Sequence, residues 1–207
     1  HQNEVIGRAC RDFPDRFPIG IALIEQRFGK LGIEEAEKAM SEFDLVGLVG
    51  HPPITEWCIP FVEAAAAREG LCNLHLHNPL MLRIAKMFPQ AQFIVHASNY
   101  AIENLGVMEN VWFEVVQYPD GQGTEWDFKW IENKIGRDRL IFGADLPYYD
   151  YRVLQKTIEA ADIDEDFKDR IAWKNILPLI NKYRPDWKLP DSPVTAPRIY
   201  DPEELWA

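Results

Sequence analysis

The stretch Leu71–Asn99, LCNLHLHNPLMLRIAKMFPQAQFIVHASN, decides how the chain folds. Its opening segment, Leu71–His77, alternates. Asn73, His75 and His77 share one face of an extended strand, and Cys72, Leu74 and Leu76 share the other, because strand side chains flip with period two. Pro79–Phe88 then places Leu80, Leu82 with Ile84, and Met87 with Phe88 at helical spacing, and Pro89 stops the helix. Gln92–His96 is apolar almost throughout, as in a parallel strand covered on both faces. His77 and His96 each stand where a strand gives way to a loop. That carboxyl edge is where barrels and open α/β sheets build their active sites.

The same alternation of strand and helix extends in both directions. Upstream, Asn3–Asp12 reads as a helix, Arg16–Ile24 as a strand and Gly32–Phe43 as a helix. Asp44–Gly50 is a strand that delivers His51 ahead of Pro52-Pro53. Thr55 suits the cap of a helix running to Glu69, with Gly70 as its stop. Downstream come a helix at Ala101–Met108, a strand at Val111–Val116 carrying Glu114, and a helix at Glu125–Ile135. The strand Arg139–Ala144 delivers Asp145, and helices follow at Tyr151–Ala161 and Glu165–Ile180. One domain, residues 1–181, is expected. Residues 182–207 are Pro-rich and aperiodic and read as an extended tail, in which Trp187, Tyr200 and Trp206 are placed to pin it to the body or to a partner subunit. Strands alternating with helices imply parallel βα units with right-handed crossovers. Six strands fit an open doubly wound sheet and fall short of the eight in a closed barrel.

Composition narrows the function. The chain has 207 residues, 47 % of them hydrophobic, enough for one substantial core. A formal net charge of −11 argues against nucleic acid or an anionic membrane as partner and favours a small-molecule substrate. Three widely spaced cysteines, Cys10, Cys58 and Cys72, make no disulfide framework and suggest a reducing, cytoplasmic setting. No apolar run reaches the length of a membrane span, and no signal-peptide pattern is present. GxSxG, GxGxxG and P-loop patterns are absent, so nucleophile-elbow, dinucleotide and nucleotide-triphosphate chemistry gain no support.

The histidines carry the chemistry. Apart from His1, all of them (His51, His75, His77 and His96) stand at or beside the ends of three consecutive strands, and Asp145 ends the last strand. Adjacent strands lie about 4.8 Å apart, so side chains at their ends can meet at metal-ligand distance. Imidazole with carboxylate suits Zn2+ or another borderline divalent ion. An aspartate beside a metal-bound water can also accept its proton. His75 reads either as a ligand or as a hydrogen-bond donor behind one, and His51 as a site residue or a plain loop residue. Glu114 reads better as a salt-bridge partner. Asn78 and Asn99 would orient substrate or make turns, and Asp145 would otherwise cap a helix.

The order HLHNP, FPQAQFIVHAS, NVWFEVV, GRDRLIFGADLPYYD and KNILPLI resembles the amidohydrolase superfamily. It is most similar to the branch of metal-dependent hydrolases and decarboxylases that includes the aminocarboxymuconate-semialdehyde decarboxylase type. The resemblance covers about residues 3–181, and GRDRLIFGADLP is its most specific piece. It implies an α/β fold of the (β/α)8 barrel type with a divalent metal, usually zinc, at the carboxyl mouth. Residue by residue it makes His77, His96 and Asp145 the metal ligands, with Asp145 also the proton acceptor and His96 catalytic. His75, His51, Asn78 and Asn99 are left as supporting or substrate residues. The activity implied is hydrolysis or decarboxylation of a small carboxylate-bearing substrate.

One departure qualifies the resemblance. The strands match the family's third to eighth, so the barrel is expected to be incomplete, without the first-strand HxH that helps hold the metal. Three explanations stand side by side: a fragment of a longer enzyme, a short homologue with a reduced metal site, or a non-catalytic partial barrel that serves binding or assembly. An unclosed sheet has two edges open to unwanted pairing. The tail or another chain, as in a homo-oligomer, is therefore expected to cover one.

Overall fold

The computed structural model describes residues 1–76, 78–116 and 126–191. His77, which the sequence marks as a ligand, lies outside the described residues, as do Tyr200 and Trp206 of the tail. Helix α1 (Gln2–Asp12) leads into the edge strand β1 (Ala22–Leu23). Then α2 (Gly29–Glu42), β2 (Gly47–Gly50), α3 (Ile59–Ala66), β3 (Leu71–Leu74), α4 (Pro79–Met87) and β4 (Gln92–His96) follow. The chain continues through α5 (Asn99–Leu105), β5 (Val111–Val115), α6 (Phe128–Ile135), β6 (Leu140–Phe142), α7 (Tyr151–Ala160), α8 (Glu165–Asp169) and α9 (Leu177–Tyr183).

All six strands are parallel, and each pairs with the next in sequence, in the order β1-β2-β3-β4-β5-β6. A doubly wound sheet would reverse direction at a switch point. Consecutive order without reversal is the winding of a (β/α) barrel, here as a six-strand arc. The two faces of the arc differ as alternation requires. Cys72 and Leu74 of β3, Phe93 and Val95 of β4, and Val111, Phe113 and Val115 of β5 point outward into the main core beneath the helices, together with Ile84, Ile102 and Ile131. The inner face is covered at its amino end by α9. Leu179 of that helix packs with Leu71, Ile94 and Ile141, flanked by Ile176, Tyr183 and Trp112.

Two sequence expectations are revised. Helix α4 buries the expected Ile84, with Leu80, Leu82 and Phe88 packed against the core, but it adds Met81 and Ala85 to its buried side and leaves Met87 exposed. The helix predicted over Glu165–Ile180 is broken: α8 passes into a π-helical turn, Arg170–Lys174, before α9 begins at Leu177 with Pro178 in its first turn. The π turn closes through the Asn175 N–H to Arg170 O at 2.9 Å, and the Asn175 side chain donates to Leu140 O at 2.8 Å and to Arg137 O at 2.6 Å. That side chain thereby occupies backbone acceptors along β6.

At the other end of the sheet, Leu23 N–H donates to Asn3 Oδ1 at 2.8 Å and Asn3 Nδ2 donates to Leu23 O at 3.2 Å. One amide side chain thus meets both outward backbone groups of a β1 residue, as a neighbouring strand would. Asparagines from α1 and from the end of the π turn thus meet backbone groups at both edges of the sheet. Of the tail, Trp187 Nε1 donates to Pro14 O at 3.1 Å.

Asn175 is buried, and its removal orphans two carbonyls. Asn175→Ala is expected to lower unfolding free energy by about 1–3 kcal/mol, read as a lower urea midpoint, whereas exposed Asn104→Ala should move it little. A second expectation concerns the thiols. Burial pushes Cys58 up to about 11 and raises Cys72 as well. Above about pH 8.5 the unfolded thiols ionise while the folded ones keep their protons. Stability should therefore fall as pH rises from there towards 11, and neither thiol should react with Ellman's reagent until the chain unfolds.

Candidate metal centre

Strand register assembles the site. Val49 pairs with Asn73, Asn73 with Ile94, and His96 with Glu114. Two residues beyond Val49, Asn73 and Ile94 stand His51, His75 and His96, all with the parity of the inner face. The four residues His51, His75, His96 and Glu114 therefore form one row across four strands. The His51 and His75 ring centroids are 4.5 Å apart and nearly edge-on, and those of His75 and His96 are 4.0 Å apart. His96 Nε2 lies 3.0 Å from Glu114 Oε1.

His75, His96 and Glu114 each offer a ligand atom, and these atoms all lie within 4.8 Å of one another. The site is enclosed: the His96 and Glu114 side chains are 10 % and 14 % exposed. Asn73, one step deeper on β3, donates Nδ2 to Glu114 Oε1 at 3.3 Å. Its Oδ1 is buried with no hydrogen-bond partner among the described residues. Gly143 leaves room for the carboxylate, because a Cβ there would lie 3.1 Å from Glu114 Oε2.

The donor set fits a divalent ion. Two ligand bonds of about 2.1 Å at a right angle place their donor atoms about 3.0 Å apart, the separation of His96 and Glu114. Two imidazoles and a carboxylate suit zinc and its first-row neighbours, and an orphaned oxygen lies beside them. The ion would be held by His75, His96 and Glu114.

The remaining predicted residues are placed as follows. His51 is exposed on the loop after β2 and lines a cavity of about 620 Å³ bounded also by Leu23, Arg27, Phe28 and Ile54. Gln26 ties this rim together: its Nε2 donates to Pro53 O, and its Oε1 accepts from Thr55 N–H at 3.2 Å. Asp145 follows β6, half-buried with φ of 47°, and is not one of the three converging groups. Asp150, not Asp145, caps α7. Asn78 is exposed and caps α4 by accepting from Leu80 N–H at 2.9 Å. Asn99 is exposed as the first residue of α5, which Ser98 caps.

Glu114, read from the sequence as a salt-bridge partner, pairs with His96 as expected; its convergence with His75 and His96 as a third potential ligand is what the sequence did not show. Its face was legible, since in VWFEV the apolar Val111, Phe113 and Val115 must face the helices and so turn Trp112 and Glu114 inward. What the sequence lacked was the register that sets Glu114 against His96.

The amidohydrolase profile matches residues 1–179. The chain belongs to the amidohydrolase family. No curated protein matches this amidohydrolase significantly by sequence. Among solved structures it is similar to 2,6-dihydroxybenzoate decarboxylase from Rhizobium, with a TM-score of 0.67 and 17 % identity over 87 % of this chain and 76 % of that one. It is also similar to a dihydroxybenzoic acid decarboxylase from Polaromonas sp. JS666, crystallised with manganese and the inhibitor 2-nitroresorcinol (TM-score 0.65, 16 % identity, 87 % and 74 % covered). A third is 4-oxalomesaconate hydratase from Rhodopseudomonas palustris (TM-score 0.60, 19 % identity, 88 % and 70 % covered). At such identities the likeness speaks for the barrel-type fold. No helix among the described residues is long and apolar enough to cross a membrane.

The pairing of His96 with Glu114 can be weighed by mutation. Glu114→Ala leaves a buried imidazole without its carboxylate, but that imidazole can stay neutral. The expected loss is therefore about 1–3 kcal/mol, and Glu114→Gln, which still offers an acceptor, should lose less. Chemical denaturation without added metal measures both.

Proposed function

We propose that this amidohydrolase is a metal-dependent lyase or hydrolase acting on a small carboxylate-bearing substrate, with decarboxylation the favoured reaction. The observation that carries the reading is the convergence of His75, His96 and Glu114 from three consecutive strands at the sheet's carboxyl edge. When bound there, a divalent ion would polarise a substrate oxygen or lower the pKa of a water. The protein groups do the rest. His96 would offer Nε2 to the ion, with Glu114 Oε1 beside it at 3.0 Å. Asp145, just beyond the last strand, accepts or returns a proton at the mouth, and the cavity beside His51 admits the substrate. His77 and Asp145 are retained as ligands on the family resemblance. The manganese bound in the Polaromonas structure supports considering that ion alongside zinc.

A non-catalytic binding role has one observation behind it. The His96–Glu114 pair is already closed at 3.0 Å and satisfies both groups without an ion.

Elemental analysis of protein purified without chelators or affinity metal separates the two readings. About one equivalent of zinc or manganese is expected, lost in His96→Ala and reduced in Glu114→Gln and Asp145→Asn. Carbon dioxide release should then be screened over hydroxybenzoates, with His96→Ala inactive. A folded wild type that takes up no ion in either metal would instead support the binding role.

A further inference from the structure

Asn73 has no part in the account so far beyond holding Glu114. Its orientation is fixed by the carboxylate: Nδ2 donates to Glu114 Oε1 at 3.3 Å, and flipping the amide would set two acceptors against each other. Oδ1 is nonetheless buried and without a partner among the described residues. Buried polar oxygens are nearly always met by a donor or a cation, so an orphan needs an explanation. This one belongs to an amide bonded to the Glu114 oxygen that faces His96. It also lies on the inner face of β3, two residues before His75.

We propose that Asn73 Oδ1 is the fourth protein donor to the divalent ion of this site, and that it tilts the site from zinc towards manganese. The proposal rests on the metal reading above. Two imidazoles and one carboxylate form a set that zinc fills well. An added amide oxygen balances nitrogen with oxygen and suits an ion that prefers carboxylate, carbonyl and water ligands. The same amide orients Glu114 through its N–H, so one side chain would both position a ligand and supply one.

Two substitutions separate these roles. Asn73→Asp keeps an oxygen but loses the N–H that holds Glu114, and Asn73→Leu removes both at similar volume. Binding of Mn2+ and of Zn2+ is measured by titration calorimetry, with electron paramagnetic resonance of bound Mn2+ as a second readout and thermal melts to confirm folding. Asn73→Leu is expected to weaken Mn2+ binding about ten- to a hundredfold, the range for losing a group beside the metal. The loss for Zn2+ should be smaller, and Asn73→Asp should retain Mn2+ affinity within a few fold. Should Leu fail to fold, Asn73→Ala replaces it. Equal losses in Asp and Leu variants would mean that Asn73 acts only through its N–H, which overturns the proposal. Unchanged binding in both overturns it too. A wild type that binds neither ion overturns the metal reading itself, and this proposal with it.

Discussion

Parallel register between β4 and β5 is the constraint on which the site depends. It sets His96 opposite Glu114, with both side chains on the concave face of the arc. A slip of one residue would turn Glu114 to the helix side and bury Phe113 in the mouth. The outward residues Phe93, Val95, Phe113 and Val115 prevent that slip, because each is wholly buried beneath the helices. Packing on the convex face thus fixes chemistry on the concave one. The same logic brings His51 and His75 into the row through β2 and β3.

An arc of six strands must also deal with what a closed barrel would not meet. Its concave face is partly filled at the amino end by α9, which is tied down where Tyr183 Oη and Lys182 Nζ donate to Glu69 O at 2.9 and 3.0 Å. Backbone groups of its edge strands are met by Asn3 and Asn175, whose amides imitate a strand's donors and acceptors. Filling the amino end and leaving the carboxyl end for polar groups gives the sheet one apolar and one chemical end.

Much of this was legible in the sequence. Alternation in LCNLHLH separates Cys72, Leu74 and Leu76 from Asn73 and His75, and the structure buries the first three beneath the helices. Histidines at strand ends marked the carboxyl edge. Strand order was not legible, because six βα units fit an open sheet and an arc equally until pairing is known. Asn73 was placed on the histidine face without a role, and Glu114 was read as a salt-bridge partner without its partner, because only the register between strands brings the two together beside His96. The break before α9 had one local signal, Pro178, which cannot continue a helix interior, whereas the contact of Asn175 with Leu140, 35 positions away, could not be read from the sequence. Asp145 was legible as the end of the last strand, and its role stands on the family resemblance.

A divalent ion held by this row of inner-face residues would be visible in diffraction from crystals grown with manganese, recorded on both sides of the metal's absorption edge. An anomalous peak in contact with His96 Nε2 and a Glu114 carboxylate oxygen, at about 2.0–2.3 Å, is the predicted result. A peak elsewhere, or none at saturating metal with the His96–Glu114 hydrogen bond intact, would contradict it.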